Sequence, residues 1–412
     1  MNKLKLIIWI GAISLSFTVA CKKESKGIVA DNFEFAGKQL TYALTEMELA
    51  IKSESEKSIS TRSNNGWSEL TNPRSLEPDG SLIMVPSKDW CSGFFPGELW
   101  YMYEYTGDEK WRQLAHHQTI ILEREKYNNR THDMGFKMYC SYGNGYRLTK
   151  NENYREVLIQ AAETLITRFN PTVGCIRSWD NVRDHWTFPV IIDNMLNLEL
   201  LFWASKETGD SKFRDIAISH AETTMKNHFR PDYSSYHVVD YNPETGEVIV
   251  KETHQGYNHE SSWSRGQAWA IYGYTLCYRE TGNPEFLEQA KRIAEYIFTN
   301  PNIPPDLIPY WDYNAPDIPN EPRDASAAAC TASALYELSV LDAENKDKYL
   351  RWADTIIENL TNNYRAELNS HKGFLLLHST GGKMLNFEID VPLVYADYYF
   401  LEALIRKDKI QK

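Results

Sequence analysis

The stretch FPVIIDNMLNLELLFWASKETGD, Phe188 to Asp210, decides the fold. Leu196, Leu200, Phe202 and Trp203 return to one side at helical spacing, and Ile191, Ile192 and Met195 are apolar too. That spacing predicts a buried helix. Asp193 lies just beyond Pro189, in what would be the first turn, where free N–H groups and the helix dipole favour a negative charge. A lone Asp there reads as an N-terminal cap. At the other end, Gly209 stops the helix and Asp210 stands ready to cap another.

The closing turn recurs. It returns as YEYTGDEKW (103–111), LTKNENY (148–154), KETGDSKF (206–213) and YRETGNPEF (278–286), with LDAENKDKY (341–349) as a weaker copy. Each follows an aromatic-rich segment and precedes an amphipathic one such as FRDIAISHAETTMKNHF. Helical hairpins repeating about every forty to seventy residues point to stacked helix pairs. With a first helix at about 33–53 and a last one in VPLVYADYYFLEALIRK, the chain holds about twelve helices. Six hairpins closed into a ring make an all-α (α/α)6 toroid; an open solenoid would show more uniform repeats. Strand signals are confined to short pieces such as SSYHVVDYNPETGEVIVKE (234–252), read as a β-hairpin insertion. PRSLEPDGS reads as an irregular lead-in toward Trp90.

The starts of the inner helices should share one rim, and they are chemically peculiar. They read DWCSGFFPGELW (89–100), THDMGF (131–136), IIDN (191–194), SSWSRGQAW (261–269), RDASAAA (323–329) and NFEIDVP (386–392). A cap explains one Asp per helix, but not the Trp, Arg, Gln and His beside it. Asp133 and Asp193 stand sixty residues apart, one repeat unit, and would approach each other across the mouth. Two neighbouring carboxylates push one pKa up, leaving a protonated acid beside an ionised partner. Asp324 and Asp390 share the rim, so spacing alone leaves the pairing open. Arg265 offers a bidentate fork for a substrate carboxylate. Trp269, one turn further on the same face, is placed to stack on the same sugar.

The chain has 412 residues, a net charge of −12, 12 Trp and 25 Tyr. The aromatics serve a large core, a carbohydrate cleft, or both. The acidic balance and the lack of a long Lys/Arg run argue against nucleic acid as a partner. A small anionic ligand held by one or two Arg residues stays compatible. Residues 1–21 read as a signal peptide: Lys3 and Lys5, an apolar run from Leu6 to Val19, then Thr18-Val19-Ala20-Cys21. The pattern resembles a bacterial lipoprotein signal with Cys21 lipidated, ordinary secretion being the alternative. Either way the protein is exported, periplasmic or anchored to a membrane through that lipid alone. Residues 22–32 read as a flexible tether and 33–412 as one catalytic domain. The five remaining cysteines are widely spaced without a CxxC, which fits buried free thiols better than a disulfide or a zinc site. No HExxH, GxSxG or phosphate-loop motif is present, so no metal and no cofactor are expected.

WCSGFFPGELWYMYEYTGD, HDMGF, IIDNMLNLELLFWA, THQGY and SSWSRGQAWAIYGYT, in that order between about Trp90 and Ala328, resemble the unsaturated glucuronyl hydrolases, glycoside hydrolase family 88. The resemblance implies an (α/α)6 barrel and an unusual reaction. The substrates would be small anionic disaccharides, of glycosaminoglycan type, left by polysaccharide lyases, whose non-reducing uronate carries a C4=C5 double bond. Asp193 would protonate C4 and take a proton from the water adding at C5. The resulting hemiketal would open to a keto acid and free the second sugar. Asp133 would be the second essential acid, and Trp90, Trp179, His237, Thr253, Gln255, Arg265 and Trp269 would bind the uronate and its neighbour. The alternatives are an unsaturated rhamnogalacturonyl hydrolase, against which RGQAW speaks, an inverting glycosidase on the same barrel, and a silent glycan-binding lipoprotein.

Overall fold

Helices reverse where the turn motifs stand. The computed structural model describes residues 27–61, 70–180 and 185–412. Helix α2 (Phe94–Thr106) ends at Gly107 with φ 66°, and the Asp108 side chain then accepts from Lys110 N–H to open α3 (Glu109–Ile120). Lys150 and Asn151 do the same between α4 (Asn144–Thr149) and α5 (Glu152–Ile166). Gly209 (φ 75°) and Asp210 link α6 (Leu198–Thr208) to α7 (Ser211–Asn227). Gly282 (φ 69°) and Asn283 link α8 (Ser264–Thr281) to α9 (Pro284–Thr299). A left-handed residue closes one helix, and an Asx side chain satisfies the orphan N–H groups of the next. The weaker fifth copy lacks both devices. Between α10 (Ala325–Leu341) and α11 (Lys346–Asn359), Asp342 keeps a negative φ and Asn345 makes no capping bond.

The two helices of each pair differ in burial. Every residue of α8 from Ser264 to Cys277 is buried, whereas α9 buries only one stripe, including Phe286, Ile293 and Ile297. Each such side chain contributes roughly 1.5–3 kcal/mol on leaving water. With α1 (Ile28–Thr61) and α12 (Val394–Gln411) the described residues hold twelve α-helices. The inner set is α2, the π-helical Gly135–Gly143 that runs into α4, α6, α8, α10 and α12; neighbours pack in sequence and α12 closes on α2. This is the expected (α/α)6 toroid. Cys91, Cys140, Cys175, Cys277 and Cys330 are free and buried, as the spacing suggested. Cys21 and the leader lie outside the described residues.

Several expected elements differ in the structure. The supposed tether runs into helix from Ile28 onward, and α1 extends to Thr61, beyond the expected 33–53. PRSLEPDGS is not irregular: β1 (Leu70–Leu76) pairs antiparallel with β2 (Leu82–Pro86), with register shifts on both sides of Asn72–Pro73. Those irregularities accommodate the proline and break the alternation that would have marked the strand. The stretch that opens at Phe188 is also not one helix. Pro189–Ile191 form strand β5, Ile192–Asn197 a 3-10 segment, and only then does α6 begin. A β-branched run after proline prefers extended backbone. Strand β5 pairs with β6 (Val238–Tyr241), which pairs with β7 (Val248–Glu252), so the expected hairpin insertion is two strands of a three-stranded sheet.

One close approach sets the inner ring. Asp133 precedes a π-helical segment, Gly135–Gly143, that leads into α4. A Cβ on Gly135 would stand 2.6 Å from Asn197 Cα. The Asn197 Oδ1 accepts the Phe136 N–H at 3.0 Å. The elements carrying the two acids are therefore in backbone contact. Gly135→Ala should lower the unfolding free energy by about 1–3 kcal/mol in chemical denaturation, as overpacked sites do, and should slow turnover of the remaining folded enzyme.

Candidate active site

Five of the six inner elements deliver a residue to one mouth of the ring, and the sixth, α10, supplies Asp324 beneath it as the partner of Arg265. A cleft of about 780 Å³ there is lined by Trp90, Asp133, Trp179, Asp193, Gln255 and Arg265, six of the nine expected site residues. Trp90 comes from the turn before α2, Asp133 from the turn before the π-helical segment, Asp193 from the 3-10 segment and Arg265 from the first turn of α8. Tyr395, in the first turn of α12, completes the floor. Trp90 packs against Phe94, Phe136 and Tyr395, and Trp179 stacks on Trp186 at 5.6 Å. The aromatics thus both build the core and face the cleft.

Asp193 is placed by the sheet. Ile192 N–H donates to the His237 carbonyl at 3.1 Å, so the end of β5 sets Asp193 beside the His237 ring. His237 Nδ1 accepts two backbone N–H groups, from His254 at 3.1 Å and Gln255 at 3.2 Å. The proton of the neutral ring therefore sits on Nε2, 3.7 Å from Asp193 Oδ2. Burial holds the His237 pKa well below the usual histidine value, keeping the ring neutral. Asp193 Oδ2, His237 Nε2 and Trp269 Nε1 are all buried without a hydrogen-bond partner. Three orphan polar atoms around Asp193, two of them on residues that lie beneath the cleft wall, mark a seat for a water.

Burial pushes the Asp193 carboxyl up to about 7. Arg265, the residue's own backbone N–H and the Trp269 indole pull it down, and Asp133 adds to the rise. The two acids thus share the cleft closely enough to interact. Asp133 is oriented by Thr131 Oγ1, which donates at 2.5 Å, and by His132 Nε2 at 3.2 Å. The other acids of the rim have separate tasks. Asp324 caps α10 and binds Arg265 at 2.5 Å, and Asp390 pairs with His378 on the surface.

Three expected binding residues do not line the cleft. Trp269 is fully buried between Phe136 and Tyr399, so it cannot be the stacking platform expected of it; its N–H faces Asp193 instead. His237 lies beneath the surface against Trp263. Thr253 uses its Oγ1 to accept Gly256 N–H, shaping the loop that presents Gln255. Arg265 does line the cleft, but not as a free fork. Its Nη1 donates to Asp324 and to the Thr380 carbonyl, and its Nη2 donates to the Gly381 carbonyl. Arg74, Leu385, Phe387, Glu388 and Tyr395 line it too without having been anticipated. Glu388 was visible only as part of the polar NFEIDVP start, and Arg74 lies on a strand without a period-two signal.

Comparison with known proteins supplies the family. Residues 48–293 match the model of Glycosyl Hydrolase Family 88. The chain belongs to that family. It is 47% identical over 391 residues to an unsaturated glucuronyl hydrolase of Formosa agariphila, covering 90% of this chain and 97% of that one. It is 37% identical to the enzyme of that name from Bacillus sp. strain GL1, covering 80% and 90%. Among solved structures, an unsaturated glucuronyl hydrolase specific for heparin superposes with a TM-score of 0.86 at 45% identity, over 93% of this chain and 98% of that one. The protein is a glycoside hydrolase, and its relatives share the helical barrel.

The carboxyl near 7 predicts a pH profile. If Asp193 must enter protonated, kcat/KM should fall as pH rises through about 7. Asp133→Asn removes a neighbour that raises the Asp193 pKa, so the falling limb should move to lower pH. Trp269→Phe removes a group that favours the carboxylate, so the limb should move to higher pH. Steady-state rates between pH 5 and 9 check all three, and a limb unmoved in both variants would separate Asp193 from the titration.

Proposed function

We propose that the protein hydrates the C4=C5 double bond of the unsaturated uronate at the non-reducing end of lyase-generated disaccharides. The observation that carries the reading is the cleft that brings Asp193, largely buried and with its carboxyl pushed up to about 7, together with Asp133 and Arg265. Vinyl-ether hydration needs a positioned acid and then a base, and a carboxyl near neutrality serves as both. Asp193 gives its proton to C4, and the positive charge that develops at C5 is shared with the ring oxygen. Water adds at C5 and returns a proton to Asp193. The hemiketal at C5 breaks its bond to the ring oxygen, leaving a ketone. C1, now a hemiacetal, expels the second sugar. The orphan atoms of Asp193, His237 and Trp269 supply a seat for that water.

The other assignments follow the same reading. Asp133 anchors the sugar, Trp90 and Trp179 flank it, and Gln255 and Arg265 face its polar edge. Thr253, His237 and Trp269 act from beneath, through the loop and through Asp193. A glycosaminoglycan-type disaccharide suits the similarity to proteins named unsaturated chondroitin disaccharide hydrolase in Streptococcus pneumoniae and others. No cofactor enters the reaction. Wild-type protein should abolish the far-ultraviolet absorbance that the conjugated double bond gives such disaccharides. Asp193→Asn should lose turnover by at least about a thousandfold while keeping the melting temperature. Persistent absorbance with wild type would end the hydration reading.

Export belongs to the same proposal. Lys3, Lys5, the apolar run to Val19 and Cys21 support a lipidated leader that anchors the enzyme in the cell envelope. Such a site suits an enzyme that receives the products of polysaccharide lyases. Labelled palmitate should enter wild type and not Cys21→Ala; an unlabelled wild type would leave secretion without an anchor.

A further inference from the structure

A flap closes one side of the cleft and carries a third carboxylate into it. Residues 379–391 fold back on themselves through antiparallel bridges Ser379–Val391 and Gly382–Phe387, with the tip at Lys383–Leu385. The flap is tied to the barrel along its length. Arg265 donates to the Thr380 and Gly381 carbonyls, each at 2.6 Å, Gln255 donates to Gly381 O at 3.0 Å, and Lys383 pairs with Glu321. Its returning arm is strained: Asn386, Glu388 and Asp390 have φ of 52°, 48° and 55°. Left-handed backbone in non-glycine residues persists only where the surroundings impose it, and it collects at ligand sites.

The strain delivers the Glu388 side chain, only 2% exposed, to the cleft wall. Arg74 holds it, with Nε to Oε1 at 2.6 Å and Nη2 to Oε2 at 3.3 Å. The same guanidinium binds both oxygens of Asp89 through Nη1. Arg74 is thereby shared between two carboxylates, and this wall is no anion site. It presents carboxylate lone pairs, since each Glu388 oxygen accepts one bond from Arg74 and can take another. Room is kept for the carboxylate by Gly381, where a Cβ would stand 2.5 Å from Glu388 Oε2. Asp193, Arg265 and Glu388 line the same cleft, and Arg265 is bonded to the flap itself through the Gly381 carbonyl. A sugar that engages Asp193 therefore has its remaining edge within reach of the flap.

We propose that Glu388, held in place by Arg74, is a substrate-binding residue that accepts hydrogen bonds from the ring hydroxyls of the uronate engaged by Asp193. The proposal rests on the hydration reading and adds a specificity determinant to it. A buried acceptor built for a hydroxyl strongly rejects an analogue that lacks it. The test is a cycle between protein and ligand. Turnover of an unsaturated uronide aryl glycoside is compared with that of its 2-deoxy and 3-deoxy counterparts, in wild type, Glu388→Gln and Glu388→Ala. At least one deoxy analogue should lose about tenfold or more in kcat/KM with wild type, and Glu388→Ala should shrink that penalty to about threefold or less. Arg74→Lys, which keeps the charge and loses the fork, should raise KM more than it lowers kcat. Glu388→Gln preserves the shape and serves the cycle if Glu388→Ala melts early. Equal deoxy penalties in wild type and variants would overturn the assignment while leaving the hydration reading intact. A wild type inert on the parent glycoside would overturn both.

Discussion

Gly135 against Asn197 is the contact on which the site depends. The two acids belong to consecutive hairpins, and in a ring of helices their separation is set by how closely the inner elements pack. Ordinary side chains at this crossing would hold the backbones further apart, at the usual spacing of packed helices. A glycine on one side and an asparagine bonded to a backbone N–H on the other remove that spacer. Gly273 of α8 repeats the device, its missing Cβ lying 2.4 Å from Met195 Cβ, so the segment carrying Asp193 is gripped from both neighbours. Distances in the cleft are thus inherited from backbone packing rather than from the flexible ends of side chains.

The architecture was legible because its punctuation is local. Gly-Asp and Gly-Asn pairs say where a helix stops and the next begins, and that rule acts within about four residues. The ring followed from counting such turns. The strands were less legible because their reasons are not local. β5 is a strand because β6 lies beside it, and the apolar run from Val190 to Ile192 fits a helix equally well when read alone. β1 hides behind the irregularities at Asn72 and Pro73.

The site divided along the same line. Asp133, Asp193 and Arg265 stand at the starts of inner elements, where sequence position dictates the rim. Trp269 is also one turn into an inner helix, yet its ring points into the core, because Phe136 and Tyr399 close over it. Whether an aromatic faces a ligand or a neighbour is decided by residues more than a hundred positions away. Arg74 and Glu388 make the same point, since a strand near the N-terminus and a flap near the C-terminus meet only in the closed ring.

The tautomer of His237 has a chemical consequence. Many catalytic imidazoles are oriented by a carboxylate, whose own ionisation then mixes with that of the ring. Here two amide N–H groups do the orienting, and amides do not titrate. The imidazole hydrogen is fixed in number as well as in place, and among Asp193, His237 and Trp269 only the Asp193 carboxyl exchanges a proton near neutrality. A reaction that lends a proton to carbon and recovers one from water needs a single mobile proton at that wall, and the backbone of one loop supplies the condition.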